Sequence, residues 1–162
     1  MANLLRQVPN SYEPKLTNRF MVTFPNELDM GAWLVQEIKR PGLDIDLVEI
    51  PYINTKSYVA GKYSWGEGTI QFLDLIGPST SMKLMEWVRL STESLTGRMG
   101  YASGYQKDLF LSTLDPTGIE VEKFGIFQTT IKKIEWPTSS YGESNLILPE
   151  ITYQAYFCEL LY

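Results

Sequence analysis

The side chains that most often carry out catalysis are scarce in this sequence. None of the 162 residues is a histidine, which removes the commonest general base and the commonest zinc ligand. Asp44 and Asp46 are the strongest remaining candidates, because carboxylates two residues apart share one face of a strand and could hold a hard cation. A solvated acidic strand edge explains the same spacing and is the better interpretation. We therefore predict no catalytic residue, no cofactor and no metal site.

The segment VAGKYSW, residues 59–65, contains a Gly-Lys step of the kind found in phosphate-binding loops. In such a loop a glycine stands five residues before Gly61, and serine or threonine follows the lysine. Here Lys56 and Tyr63 occupy those two positions. The segment is therefore not expected to bind a nucleotide.

Cys158 is the only cysteine, so an intrachain disulfide is excluded and a reducing compartment is favoured. A nucleophilic thiolate needs a base and electropositive surroundings. The flanking residues are Phe157 and Glu159. We predict a small, half-buried side chain without a catalytic role.

The charge balance argues against tight binding of nucleic acid. Nineteen acidic and fourteen basic residues give a net charge of −5, so no overall basic field is available to neutralise phosphates. The pair Lys132-Lys133 is too short for a basic patch, and in an alternating strand the two side chains point to opposite faces. A sheet edge or a salt bridge between subunits is the better interpretation of this pair.

The elements that would position these residues are mostly strands. Ser79 or Ser81 is a candidate N-cap for one helix over residues 79–95, with Trp87 on its buried side. A turn is predicted at Asp115–Gly118. Strands are predicted over residues 19–24, 33–39, 44–50, 52–59, 69–76, 108–114, 119–136 with an internal irregularity, and 151–161.

The length and pattern predict one β-rich domain over residues 1–162, in which residues 1–17 form an extended N-terminal arm. Neither a signal peptide nor a membrane span is predicted. Pro51 cannot donate a hydrogen bond in a central strand, so the segments around it form an edge or a projecting hairpin. In the last strand, Ile151, Tyr153, Ala155 and Phe157 are expected on one face, and Thr152, Gln154, Tyr156 and Cys158 on the other.

The order of short landmarks along the chain adds a resemblance. Through the order of these landmarks, given below, the sequence resembles the tail tube protein of contractile-tailed bacteriophages over nearly its whole length. It is also similar to the tubes of type VI secretion and contractile injection particles. The landmarks are Asn18-Arg19-Phe20, Lys39 with Pro41, Glu49-Ile50-Pro51-Tyr52, Asn54, Val59-Ala60-Gly61, the strand Thr69–Asp74, the Trp87 helix, Leu114-Asp115, Trp136-Pro137, Gly142 and a final aromatic strand ending in Tyr162. Leu146–Pro149, LILP, is more apolar than the resemblance leads us to expect.

The resemblance implies a mainly β fold, a barrel or sandwich with one flanking α-helix, whose subunits join into a ring-shaped barrel. Hexameric rings would stack into a tube, and residues 40–68 would form a hairpin that projects onto the neighbouring ring. Gly61 is expected to shape the backbone of the hairpin tip. The inter-ring contact would use Ile50, Tyr52, Ile53, Tyr58, Val59 and Gly61.

On the same resemblance, DNA passes through the lumen during ejection without specific binding. The polar strand residues Thr69, Gln71, Thr152 and Gln154 are candidates to face the lumen. The implied partners are the sheath protein, baseplate and terminator proteins and the tape-measure protein. The implied location is the virion tail, assembled in the bacterial host cytoplasm, without membrane insertion.

Three other interpretations of the function remain open from the sequence alone. The same fold serves as a baseplate tube initiator, a terminator ring or the inner tube of an injection particle with protein cargo. A monomeric β-barrel binding module predicts a concave aromatic pocket and a stable monomer. An enzyme that uses carboxylates or lysine requires a constellation that the sequence does not display.

Overall fold

The computed structural model describes residues 12–162. Within that part the protein is mainly β, with one helix of three turns, as predicted. The strands are β1 (Phe20–Thr23), β2 (Val35–Lys39), β3 (Leu43–Tyr52), β4 (Thr55–Trp65), β5 (Glu67–Phe72), β6 (Lys107–Leu114), β7 (Glu120–Glu135), β8 (Glu150–Gln154) and β9 (Phe157–Leu160). The helices are α1 (Thr80–Ser91) and the short α2 (Ala102–Tyr105), and single 3-10 turns lie at Asn26–Leu28 and Ala32–Leu34.

Strand β7 connects two antiparallel sheets. Its first half pairs with β6 and β9, while its second half pairs with β8. The first sheet has the order β1-β6-β7-β9, and the second has the order β2-β5-β8-β7. Between the halves, Gln128 has φ 51° and its N–H donates to the Asp108 carboxylate at 2.9 Å. The predicted irregularity within this strand is confirmed, and it lets one strand serve two sheets.

The core fills the space between the two sheets. The second sheet contributes a row of side chains that alternate with polar residues, as expected for a sheet buried on one face. Trp87 on α1 is 2% exposed, and its indole N–H donates to the Tyr105 carbonyl at 2.8 Å, so its predicted core position is confirmed. The fully buried side chains include Val22, Ile70, Phe72, Leu84, Leu109, Ile126, Ile151 and Tyr153.

The predicted last strand is wrong in its second half. The chain leaves the second sheet after Gln154 and re-enters the first sheet as β9. This break reverses the alternation, so that Cys158 is buried and Phe157 lies on the outer face beside Phe127. Periodicity alone did not reveal the change of sheet.

Helix α1 begins where a carboxylate and a hydroxyl satisfy its free N–H groups. Asp74 accepts from the backbone N–H of Thr80 at 3.0 Å and of Ser81 at 3.2 Å. Ser79, one of the two predicted caps, accepts from Met82 N–H at 3.3 Å. Partial burial raises the pKa of Asp74, but the hydrogen bonds from Ser81, Thr80 and Leu75 outweigh it, so the pKa lies below its ordinary value.

The helix is shorter than the predicted span of 79–95. It ends at Ser91, and the chain then turns back, with a bridge between Thr92 and Met99 and with Gly97 at φ 70°. Gly100 allows the close return, because a Cβ there would overlap the Leu90 carbonyl oxygen. No helix in the described part is long and apolar enough to cross a membrane.

Residues 1–11 of the predicted arm lie outside the described residues. The remainder, 12–17, runs without regular structure along the surface. Its Lys15 pairs with Glu122 at the start of β7. The role of the arm in subunit contacts stays a prediction.

Candidate assembly surfaces

The hairpin β3–β4 stands apart from the two sheets. In the described chain its strands pair only with each other, over nine register pairs. All residues of β3 and the first ten of β4 are exposed. At its base, Gly66 N–H donates to the Gly42 carbonyl at 2.8 Å. The hairpin predicted around Pro51 therefore exists, and beyond its root it is a two-stranded ribbon with no further strand beside it in the described chain.

Both faces of this hairpin carry exposed apolar side chains, and each also carries charged residues: Asp44 and Asp46 on one, and the Glu49–Lys56 ion pair on the other. The strand register and the alternation of side chains assign each residue to a face. We call the two surfaces the first and second hairpin faces. The first carries Leu43, Ile45, Leu47, Tyr58, Tyr63 and Trp65, and the second carries Val48, Ile50, Tyr52 and Val59.

The predicted inter-ring residues lie in the outer half of the hairpin, apart from Gly61. Tyr52 is 70% exposed and Ile53 is 84% exposed. Ile53 forms the turn itself, with φ 49°. Ile50, Tyr58 and Val59 follow along the two strands and are 46–57% exposed.

Gly61 is not at the tip, and the prediction that placed it there is wrong. It lies within β4, opposite Asp46, where β4 has one residue more than β3. A Cβ at this position would lie 3.0 Å from the Asp46 carbonyl oxygen and 3.1 Å from Val48 Cγ2. Glycine permits close approach of the two backbones at this bulge, whereas the tip is formed by Ile53-Asn54.

A groove lies between the root of the hairpin and strand β9. Its volume is about 740 Å³. One wall consists of Leu43, Ile45, Ala60, Tyr63 and Trp65 of the hairpin together with the backbone at Gly61, and residues 156–159 form the other. Burial raises the pKa of the Cys158 thiol to about 11, so this side chain in the groove wall is not an activated nucleophile.

The four predicted lumen residues share the outer face of the second sheet. Thr69 is directly paired with Thr152, and the partners of Gln71 and Gln154 are Glu150 and Glu67. Gln154 is additionally tied to the hairpin root, because its amide donates to the Trp65 carbonyl at 2.6 Å. The structure thus brings the four together, but their exposure to a lumen stays a prediction.

The two lysines of β7 beside these residues are paired, while Lys39 and Glu37 of β2 lie opposite Thr69 and Gln71. Lys132 contacts Glu67, and Lys133 contacts Glu135. The second half of β7 pairs only with β8 among the described strands, so the interpretation of the two lysines as part of a sheet edge is confirmed. Pairing with glutamates weakens their attraction for phosphate.

An aromatic cluster on the outer face of the first sheet was missed by the sequence reasoning. The ring of Phe127 lies 4.7 Å from that of Phe157 and 5.9 Å from that of Phe110. Tyr156, 73% exposed, packs edge-on against Phe157 at 5.9 Å. The signal that could have found it is the placement of Phe110 and Phe127 on one face of two adjacent strands.

Each sheet has two strands with an unpaired side. In the described chain, β1 and β9 flank the first sheet, and β2 and the second half of β7 flank the second. The two flanking strands of each sheet do not pair with each other, so neither sheet is closed into a barrel. Such edges expose backbone N–H and C=O groups that can pair with another chain.

No protein-family model matches the sequence. No curated protein matches it.

Solved structures do match. A chain in the anti-feeding prophage cap, described as the tube-terminating cap, has a TM-score of 0.75 and 15% identity, with 99% of this chain and 98% of that chain covered. A chain in the PVC sheath/tube terminator of an extracellular contractile injection system has a TM-score of 0.75 and 14% identity, with 95% and 100% covered. The SPP1 tail tube has a TM-score of 0.55 and 12% identity, with 91% and 78% covered. At these identities the likeness shows that the chain has the fold of tail tube proteins.

Proposed function

We propose that this chain, which has the tail tube fold, is a structural subunit of the inner tube of a contractile tail. Copies form hexameric rings, and the rings stack into a tube whose lumen conducts DNA during ejection. The protein acts by assembly and not as an enzyme. The observation that carries the proposal is the β3–β4 hairpin, which exposes apolar side chains on both faces and contacts the rest of the described chain only near its root, where Trp65 packs beside Phe124.

The apolar surface of the hairpin is larger than a monomer ordinarily leaves in water. Ten large apolar side chains from residues 43–63 are 46–84% exposed. Together they amount to an area on the order of 1,000 Å², above the few hundred that monomers present as one patch. Stable interfaces bury about 800 Å² per partner. One hairpin therefore supplies enough surface for an interface between rings.

The open sheet edges support the ring. In a closed ring, a free edge of one subunit pairs with a different free edge of the next, and the barrel so formed has no edge left. Edges β2 and β7 of the second sheet lie on opposite sides of the same polar face. Joining six copies through them would make that face continuous around a central channel.

The polar face supports the passage of DNA without retention. Thr69, Gln71, Thr152 and Gln154 offer hydrogen-bonding groups but no charge, and Lys132 and Lys133 are paired with glutamates. DNA binding depends on the number of phosphates that basic groups neutralise. A face with few free cations allows the duplex to slide.

The proposed partners are other copies of this chain, the sheath, the baseplate and terminator proteins and the tape-measure protein. The proposed location is the tail of the virion or particle, assembled in the host cytoplasm. These proposals rest on the fold, because matched chains come from a sheath–tube complex and from a baseplate, at 14% and 12% identity.

A second candidate function is a terminator or initiator ring, or a ring in an injection particle that carries protein. The observation that favours it is the TM-score of 0.75 with both a tube-terminating cap and a sheath/tube terminator. A terminator forms one ring and stops, whereas a bulk tube subunit stacks repeatedly.

Negative-stain electron microscopy of the purified protein, with its mass in solution across a concentration series, tests the proposal. Hollow filaments of stacked rings are expected for the bulk tube, and single rings at all concentrations would favour the terminator. A stable monomer at every concentration, including with preformed tube ends added as templates, would contradict both and favour the monomeric binding module.

A further inference from the structure

We infer that the tip of the hairpin of one copy occupies the groove at the hairpin root of a copy in the next ring. The apolar side chains at the tip are those of Ile53 and the adjoining Tyr52, and the groove is the cleft between the first hairpin face and residues 156–159. This inference rests on the proposed function and adds the identity of the receiving site.

The lengths of the hairpin and the body agree with this contact. Strand β3 has ten residues, so the hairpin is about 33 Å long at roughly 3.3 Å per residue. A compact chain of this size is roughly 35–40 Å across. In a stack of rings with the hairpin along the axis, each root lies one ring thickness above the root below it. The tip of one hairpin then reaches the height of the next root.

The tip cannot fill the groove of its own subunit. The groove is lined by Leu43, Ile45, Tyr63 and Trp65, which lie at the end of the hairpin opposite Ile53. The occupant must come from another molecule. A protruding tip and a receiving groove on the same chain make a head-to-tail contact, and such a contact continues into an open filament.

The chemistry of the two parts is complementary. The groove walls are aliphatic and aromatic, and Tyr52 and Ile53 are 70% and 84% exposed in the single subunit. Glu159 is the one charged residue that lines the groove. Lys56, three residues from Ile53, pairs with Glu49 of its own hairpin at 3.0 Å, so the fit of tip and groove rests on apolar contact.

Cysteine cross-linking tests the contact, because disulfides form only when the two Cα atoms approach within about 7 Å. The test protein carries Ile53→Cys and Glu159→Cys with Cys158→Ser, which leaves only the two introduced thiols. The control carries Ile53→Cys and Tyr141→Cys with Cys158→Ser, since Tyr141 is fully exposed and does not line the groove. If Cys158→Ser prevents folding, the test and control proteins are made again with their introduced cysteine pairs and with Cys158 retained.

Each protein is oxidised as tubes and as dispersed subunits, and the products are separated under non-reducing conditions. We expect covalent dimers and longer ladders in tubes of the test protein, at least tenfold above both the control and the dispersed subunits. Tubes that give no more dimer than the control would overturn the tip-and-groove contact and leave the proposed function standing. Dimers in equal yield from isolated rings would also overturn it, because the contact would then lie within one ring. Absence of rings and tubes under all conditions would overturn the proposed function together with this inference.

Discussion

The hairpin β3–β4 and the strand pair β5–β8 are both antiparallel, yet they differ in where their apolar side chains go. In β5 and β8, Ile70, Phe72, Ile151 and Tyr153 are fully buried against the rest of the domain. In the hairpin, no residue is buried. The hairpin is as rich in Leu, Ile, Val and Tyr as a core strand, but beyond Trp65 at its root its own domain leaves both faces exposed. The difference is that one region buries its apolar side chains within the subunit, while the other leaves them exposed at its surface.

Gly68→Val should have the largest effect on the subunit. A Cβ at Gly68 would overlap the ring of Tyr153 and lie 2.8 Å from the Lys39 carbonyl oxygen. Since Tyr153 is fully buried and its hydroxyl donates to that same carbonyl at 3.2 Å, the clash cannot be relieved locally. We expect a loss of about 3 kcal/mol in the free energy of unfolding, measured by urea denaturation of dispersed subunits.

Gly42→Ala is the matched control, because nothing lies within 4 Å of a Cβ at Gly42. Its unfolding free energy should change by less than about 0.5 kcal/mol. Equal losses for the two variants would show that the β5–β8 pair is not the tightly packed region that the comparison requires.

Asp74→Ala should have the next largest effect, about 1–2 kcal/mol, because it removes the acceptor for Thr80 and Ser81 N–H at the start of α1. The lowered pKa adds a pH dependence. A carboxylate with a depressed pKa in the folded state stabilises the protein above its unfolded pKa of about 4, and this contribution is lost as the pH falls through the folded pKa. Wild type should therefore lose more stability than Asp74→Ala between pH 6 and pH 3 in chemical denaturation. Parallel pH profiles would refute this role of Asp74.

Gly61→Val should change assembly with little effect on the subunit. Its side chain would press against the Asp46 carbonyl and Val48, and so deform the hairpin at its bulge. Because the hairpin does not belong to the core, the unfolding free energy should change by less than about 0.5 kcal/mol. Ring stacking should be lost in electron micrographs, and Gly42→Ala should stack normally. Normal filaments from Gly61→Val would contradict the role given to this glycine.

Gln71→Lys should have the smallest effect on stability and assembly. If its side chain faces the lumen, six new positive charges per ring attract the phosphates, and DNA ejection slows. Gln71→Glu is the matched control and should leave the ejection rate close to wild type. The rate of DNA ejection is measured in particles assembled from each variant. Equal rates for Gln71→Lys and Gln71→Glu would contradict the placement of Gln71 at the lumen.

The sequence allowed prediction of the features that depend on local chemistry. The Asp115–Gly118 turn is confirmed, with Asp115 accepting from Thr117 and Ile119 N–H at 2.8 Å each and Gly118 at φ 87°. The existence of the helix, the hairpin around Pro51 and the buried Trp87 are likewise confirmed. These features can be predicted from short segments, because each depends on the proline, glycine or apolar residues within a few positions of it.

The features that were mispredicted depend on pairing between distant segments. Gly61 was placed at the tip because glycine often marks turns, whereas the register puts it opposite Asp46 in a bulge. Phe157 was placed on the same face as Ile151, Tyr153 and Ala155 because the alternation of β8 was extended through a change of sheet. The root groove was not predicted at all, because its walls are more than ninety residues apart in sequence.

Hydrogen exchange of the hairpin amides tests the central claim most directly. In dispersed subunits we expect the amides of residues 43–65 to exchange rapidly while those of β5 and β8 are protected, because only the latter are covered by the domain. In assembled tubes, the hairpin amides should become protected to a similar degree. Equal, strong protection of the hairpin in both states would contradict the account, since it would show that the subunit stabilises this region without neighbours.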